Sequence, residues 1–171
     1  LAMSESIARA DAAQRTASDP AASVWVAASA GTGKTKVLTD RVLRLMLGGA
    51  EAATPPNRIL CLTFTKAAAA TMANRLTESL LEWAIVPANE LEKKLRHLIG
   101  ATPTPEVIER ARRLLAAVLE TPGGMRIQTI HAFCQALLAR FPLEAGVPPH
   151  FEVVDERSAE ELLGTAREEL I

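Results

Sequence analysis

The chain has 171 residues, of which 49% are hydrophobic, 23% charged and 4% aromatic. This length suits one globular domain, or a domain with part of a second. The 9 glycines, 10 prolines and 2 cysteines exclude collagen-like, disordered and disulfide-stapled classes. No apolar run approaches the ~18–20 residues of a membrane helix, so we expect a cytoplasmic protein. Cys61 and Cys134 have no further ligands at suitable spacing and are interpreted as reduced core residues.

The charge is distributed unevenly along the chain. Residues 1–141 contain 17 basic and 12 acidic side chains, whereas residues 142–171 contain 2 and 8. The overall charge of −1 therefore averages a basic part and an acidic part. The change near Pro142 predicts a domain boundary there.

The first 85 residues contain two strand–helix pairs. Residues 24–27 form a short apolar run that is typical of a strand buried on both faces in a parallel sheet. A helix follows and is expected to stop at Gly48-Gly49. A second strand is predicted at 58–63 and a second helix at about 66–83. The apolar side of that second helix comprises Met72, Leu76, Leu80 and Trp83.

The pattern changes between residues 86 and 122. Two amphipathic helices follow each other without a strand, the first closed by Gly100 and the second capped by Thr104, which predicts an inserted helical hairpin. The polar side of the second helix carries Arg110, Arg112 and Arg113. These arginines either contact a phosphate backbone or form a solvated face, and the solvated face is favoured.

A third strand–helix pair is predicted after the break at 121–124. Residues 125–129 suit a short strand, and residues 132–140 suit a helix that ends at Phe141 because Pro142 lacks an amide hydrogen. Three strand–helix pairs in succession predict an α/β fold with a parallel sheet and flanking helices.

A phosphate-binding loop is predicted between the first strand and the first helix. Its residues are Ala28, Ser29, Ala30, Gly31, Thr32, Gly33, Lys34 and Thr35. Small residues allow backbone amides to surround a polyphosphate at close range. Lys34 would stabilise the outer phosphates of ATP, and the Thr35 hydroxyl would ligate Mg²⁺. Ala28 replaces the glycine of the strict pattern, but the strand-to-helix context favours nucleotide binding.

Hydrolysis also needs carboxylates that hold Mg²⁺ and activate water. The segment 151–156 ends in Asp155-Glu156, but Glu152 interrupts the apolar pattern and helix capping accounts for Asp155. The sequence is therefore expected to contain only half of an ATPase site.

Three motifs in register resemble those of UvrD/Rep-like superfamily 1 DNA helicases. They are the phosphate-binding loop, the run LTFTKAAA at 62–69 and the run QTIHAFC at 128–134. Within that superfamily the chain is most similar to the N-terminal part of AddA-type helicase–nuclease subunits of double-strand-break repair, in their alphaproteobacterial form.

The resemblance implies a RecA-like P-loop NTPase fold that is incomplete in this chain. Residues 1–141 would belong to motor domain 1A, with a helical insertion at 86–122, and residues 142–171 would begin accessory domain 1B. The acidic motif, the second motor domain and the nuclease domain would follow beyond Ile171. The implied partners are single-stranded or double-stranded DNA ends and an AddB-like subunit.

The resemblance also implies individual site residues. Lys34 would be the catalytic lysine, and Gln14 would read the adenine edge, since an amide both donates and accepts hydrogen bonds. Hydroxyls that bind phosphates and an aromatic ring that stacks on a base suit a contact with single-stranded DNA. The implied DNA-contacting residues are Thr63, Phe64, Thr65, Thr129, His131 and Phe133.

Three functions stay open at this point. An ATP-driven DNA motor is favoured for the whole protein. A small-molecule kinase would use the same loop but needs an arginine-bearing lid and a complete acidic site. A nucleotide-binding module without turnover is expected for the chain by itself. An open sheet edge would also favour self-association.

Overall fold

A computed structural model describes residues 2–29, 31–48, 52–154 and 156–168. Gly49, predicted as part of a helix stop, and Asp155, predicted as a helix cap, lie outside these ranges. The helices are α1 (Ala2–Ala17), α2 (Lys34–Leu47), α3 (Lys66–Ile85), α4 (Ala88–Ile99), α5 (Pro105–Glu120), α6 (Ile130–Arg140), α7 (Pro142–Ala145) and α8 (Glu156–Glu168), with a 3₁₀ turn at Pro56–Arg58. The strands are β1 (Leu60–Thr63) and β2 (Arg126–Thr129).

The chain divides into two compact units, residues 1–128 and 129–171. Each unit is described by itself below. The domain boundary predicted near Pro142 stays a prediction. In the described ranges, no helix combines the length and the apolar character needed to cross a membrane.

The two strands β1 and β2 pair in a small parallel sheet, which agrees with the predicted mixed α/β class. The strand predicted at residues 24–27 is wrong, because this segment has no regular secondary structure and pairs with neither strand. Its Trp25 side chain is 93% exposed rather than buried. An apolar run forms a strand only where a neighbouring strand satisfies its backbone groups, and in the described residues β1 and β2 pair only with each other.

The core of the first unit lies between α2, α3, α4 and α5. Leu76 and Leu80 of α3 are 0% and 1% exposed, and Leu47 at the end of α2 is 0% exposed. The whole predicted apolar side of α3 is buried, which confirms that prediction. Ala111 of α5 is also fully buried, and its small side chain lets α5 pack closely against α3.

The two consecutive helices predicted between residues 86 and 122 are present as α4 and α5, and their origin as an insertion stays a prediction. Gly48 and Gly100 end α2 and α4 with φ of +63° and +76°, as expected for a helix stop at glycine.

Thr104 precedes α5, but its side chain accepts no capping hydrogen bond, contrary to the prediction. A hydrogen bond with the Thr104 side chain instead lowers the pKa of Glu106, with smaller contributions from the Glu106 backbone amide and from Arg110.

Two arginines of α5 bind the carbonyl ends of neighbouring helices. Arg110 donates to the carbonyl of Leu47, the last residue of α2. Arg112 donates to the carbonyls of Trp83, at 2.8 Å, and of Val86, at the end of α3. The last carbonyls of a helix lack intrahelical partners and carry the negative end of its dipole. A cationic donor supplies their hydrogen bonds and also stabilises this negative charge.

The solvated face, which the sequence favoured for these arginines, is therefore wrong for Arg110 and Arg112. Both side chains are half-buried and donate to backbone carbonyls at helix ends instead of facing only water. Contact of these arginines with a phosphate backbone stays a prediction. Arg113 does match the solvated interpretation, since it is exposed and pairs with Glu109 one turn away.

The second unit contains α6, α7 and α8. The helix α6 ends at Arg140, directly before Phe141 and Pro142, as predicted. Pro142 then opens the short helix α7, which the sequence pattern did not indicate. No residue of α6 is buried.

The two cysteines differ in their surroundings. Cys61 on β1 is half-buried beside the core of the first unit, and burial raises the pKa of its thiol. Cys134 on α6 is exposed, so its assignment as a core residue is wrong. The spacing of apolar residues around Cys134 marks one side of α6 as apolar. It does not show whether another element packs against that side.

Leu76→Ala should lower the free energy of unfolding by about 2–5 kcal/mol, because it removes a fully buried side chain from the helix core. Leu119→Ala is the matched control, since Leu119 on α5 is 76% exposed and its loss should change stability by at most about 0.5 kcal/mol. Urea unfolding followed by circular dichroism measures both values. Equal losses in the two variants would contradict this core.

Candidate nucleotide site and strand-end motifs

The predicted phosphate-binding loop leads directly into α2. Gly31 and Gly33 have φ of +78° and +90°, a backbone conformation that glycine adopts without strain. Gly33 is the N-cap of α2, and the half-buried Thr35 lies in the first turn. The first amides of a helix have no intrahelical partners and carry the positive end of its dipole, so this turn can hold an anion. Ala30 lies outside the described residues.

The ammonium group of Lys34 lies against the backbone of the same loop. Its Nζ donates to the carbonyls of Ala28 and Ser29, both at 2.5 Å. The Thr32 hydroxyl donates to the Ser29 carbonyl at 2.6 Å. A cation therefore lies within the loop, and the exposed position of Lys34 leaves it accessible to a ligand.

Gln14 reaches this loop from α1. A Cβ atom built on Gly33 would lie 2.8 Å from Nε2 of Gln14. The fold thus brings together two residues that are far apart in sequence. Gln14 is half-buried. It is therefore not a helix residue that faces only solvent. Its role toward adenine stays a prediction.

Two arginines of α2 hold the end of α1 in this position. Arg44 donates to the Arg15 carbonyl at 2.7 Å and to the hydroxyl of Ser18, which is 1% exposed, at 3.0 Å. Arg41 donates to the Asp19 carbonyl at 2.5 Å. These positioning residues were not predicted, because the sequence alone does not distinguish an arginine that caps a helix end from one that faces water.

A cavity of about 370 Å³ lies between α1 and the loop. Three small residues of α1, Ala10, Ala13 and Ala17, line it at helical spacing and leave room beside the loop. Gln14, Thr32 and Lys34 supply its polar groups. Its described lining thus combines an apolar wall with an amide, a hydroxyl and a cation, and its size suits a small molecule.

The first predicted DNA motif lies where β1 passes into α3. Thr63 ends the strand, and Phe64 after it is 83% exposed. This exposure excludes Phe64 as a core residue. Thr65 is the N-cap of α3, and its hydroxyl oxygen accepts from the Ala68 amide at 3.1 Å. The hydroxyl hydrogen remains a donor for a further acceptor.

The second predicted DNA motif belongs to the second unit. Thr129 is the N-cap of α6, and its hydroxyl oxygen accepts from the Ala132 amide at 3.1 Å. His131 lies exposed in the first turn of α6, and Phe133 is half-buried. A threonine N-cap therefore begins the helix after each strand, as Thr65 before α3 and as Thr129 before α6.

Gly33→Ala should displace the Gln14 side chain, because the new methyl group would overlap Nε2. Gly123→Ala is the control for backbone strain alone, since Gly123 has φ of +78° and no heavy atom near the added methyl. Each variant should lose about 1–2 kcal/mol of stability through its left-handed backbone. The NMR signals of the Gln14 side-chain amide should move only in Gly33→Ala. Unchanged signals in that variant would contradict the contact.

Comparisons with known proteins reveal relatives of this chain. Residues 10–170 match the model of the UvrD/REP helicase N-terminal domain. The chain is 39% identical over 134 residues to AddA, an ATP-dependent helicase/nuclease protein, of Desulforudis audaxviator, and the match covers 78% of this chain and 9% of that protein. It is 35% identical over 147 residues to the AddA protein of Pelotomaculum thermopropionicum, covering 86% and 10%.

The chain spans about a tenth of the length of these curated relatives. The family match, in contrast, extends over nearly all of the chain, including the loop and both strand-end motifs. The chain therefore belongs to the UvrD/REP helicase N-terminal domain family.

Proposed function

We propose that this chain is the ATP-binding part of an ATP-dependent DNA helicase of the AddA type that acts in double-strand-break repair. The observation that carries the proposal is the Lys34 ammonium held in a glycine-containing loop at the N-terminus of α2. The family match and the relatives named as ATP-dependent helicase/nuclease proteins support it, and they favour it over a small-molecule kinase.

The chemistry of the loop fits ATP with Mg²⁺. Lys34 would exchange its two carbonyl partners for phosphate oxygens and so stabilise negative charge on the outer phosphates. The Thr35 hydroxyl is the proposed ligand of Mg²⁺, which when bound neutralises charge on the phosphates. Gln14, on the α1 side of the cavity, would hydrogen-bond the adenine edge.

Turnover needs groups beyond this loop. A carboxylate must hold the metal through water, and another must activate the attacking water. The described lining of the cavity beside Lys34 contains no Asp or Glu. We therefore expect the chain by itself to bind ATP·Mg weakly and to hydrolyse it negligibly.

The strand-end motifs suit a contact with single-stranded DNA. Phe64 offers an exposed aromatic face on which a base can stack. Thr63 lies just before it, and the Thr65 hydroxyl can donate to a phosphate at the positive end of α3. In the second unit, Thr129 and His131 offer the same kinds of donor at the start of α6. The proposed partners of the whole protein are DNA ends and an AddB-like subunit.

Lys34→Ala should weaken the binding of ATP·Mg by about tenfold or more, because it removes a charged donor to the phosphates. Lys36→Ala is the matched control: Lys36 is two residues away on the same helix, but it pairs with Asp40 at 2.6 Å instead of entering the loop. Titration of a fluorescent ATP analogue measures both affinities. Equal affinities for the two variants would overturn the assignment of Lys34.

Phe64→Ala should weaken the binding of oligo(dT) by about fivefold to 150-fold, since stacking contributes about 1–3 kcal/mol per base. Ile85→Ala is the control at the opposite end of α3, because Ile85 is 81% exposed and far along the helix from the motif. Fluorescence anisotropy of a labelled oligonucleotide gives both dissociation constants. A loss confined to Ile85→Ala, or of equal size in both variants, would contradict the motif.

A further inference from the structure

One helix of the hairpin, α5, holds the far ends of α2 and α3. Its Arg110 donates to the carbonyl of Leu47, where α2 ends. Its Arg112 donates to the carbonyls of Trp83 and Val86, where α3 ends. The near ends of the same two helices carry the loop lysine and the first strand-end motif.

The contact of α5 with both helices is tight and partly removed from water. Ala111, between the two arginines, is 0% exposed, and both arginine side chains are half-buried. Hydrogen bonds from a charged donor are stronger and more directional than apolar contacts. The arginines therefore add directional links between α5 and the ends of α2 and α3 to the apolar packing of these helices.

Helices move largely as rigid bodies, so a shift at one end reaches the other end. A ligand that moves the first turn of α2 would also move Leu47, and through Arg110 it would move α5. Arg112 would pass that displacement to the end of α3. The two arginines thus provide a continuous connection between the two proposed sites.

We propose that Arg110 and Arg112 are positioning residues that couple nucleotide binding at the start of α2 to single-strand binding at the start of α3. This inference rests on the proposed function, because it assumes that both ligands bind. It assigns to the hairpin a role in communication between the sites, in addition to packing.

The test is the affinity of this chain for labelled oligo(dT), measured by anisotropy with and without saturating non-hydrolysable ATP analogue and Mg²⁺. The ratio of the two dissociation constants reports the coupling. We expect a ratio that differs from one by about fivefold or more in the unsubstituted chain. Arg110→Ala and Arg112→Ala should each bring the ratio to within about twofold of one.

Arg113→Ala is the matched control, because it removes the same charge from the same helix but only an exposed pair with Glu109. It should keep the coupling of the unsubstituted chain. Arg112→Lys, which retains the charge but cannot reproduce the planar fork, should also lower the coupling and serves if an alanine variant fails to fold. Circular dichroism checks the fold of each variant.

The outcomes separate the two proposals. A ratio of one in the unsubstituted chain, or a ratio that Arg110 and Arg112 variants leave unchanged, overturns the inference while leaving ATP and DNA binding intact. Loss of coupling in Arg113→Ala also overturns it, since charge alone would then explain the effect. A chain that binds no ATP analogue contradicts the proposed function, and the inference fails with it.

Discussion

Helices end in carbonyl groups that have no intrahelical partners, and at the ends of α1, α2 and α3 arginines from neighbouring helices supply donors. Arg44 of α2 binds the end of α1, and Arg110 and Arg112 of α5 bind the ends of α2 and α3. Interlocking apolar side chains between these helices restrict their relative positions, and the charged hydrogen bonds add directional contacts at the helix ends. The candidate site lies at the start of α2, one of the helices held in this way.

The geometry of the loop illustrates this arrangement. Gln14 lies beside Gly33 because Arg44, near the far end of α2, holds the end of α1 against that helix. The small side chains of α1 then leave a cavity next to the Lys34 ammonium. An amide side chain, a hydroxyl and a cation line that cavity although they come from two separate helices and the loop between them.

A single hydroxyl can serve both the fold and a ligand. Thr65 and Thr129 each use an oxygen lone pair to cap the helix that follows a strand. Capping consumes acceptor capacity and leaves the hydroxyl hydrogen available for a phosphate at the positive end of the helix. A structural role for these threonines therefore does not compete with the proposed contact with DNA.

The sequence by itself determined the features that depend on local spacing. The buried side of α3 and the two consecutive helices with the stop at Gly100 follow from helical periodicity and from the backbone freedom of glycine. Only the tertiary structure shows which partner each polar or apolar group contacts. Residues 24–27 lack a strand partner, and Arg112 binds a helix end instead of water. Periodicity shows which side of a helix or strand is polar or apolar. The groups that pack against that side, or that satisfy its hydrogen bonds, lie far along the chain and come together only on folding.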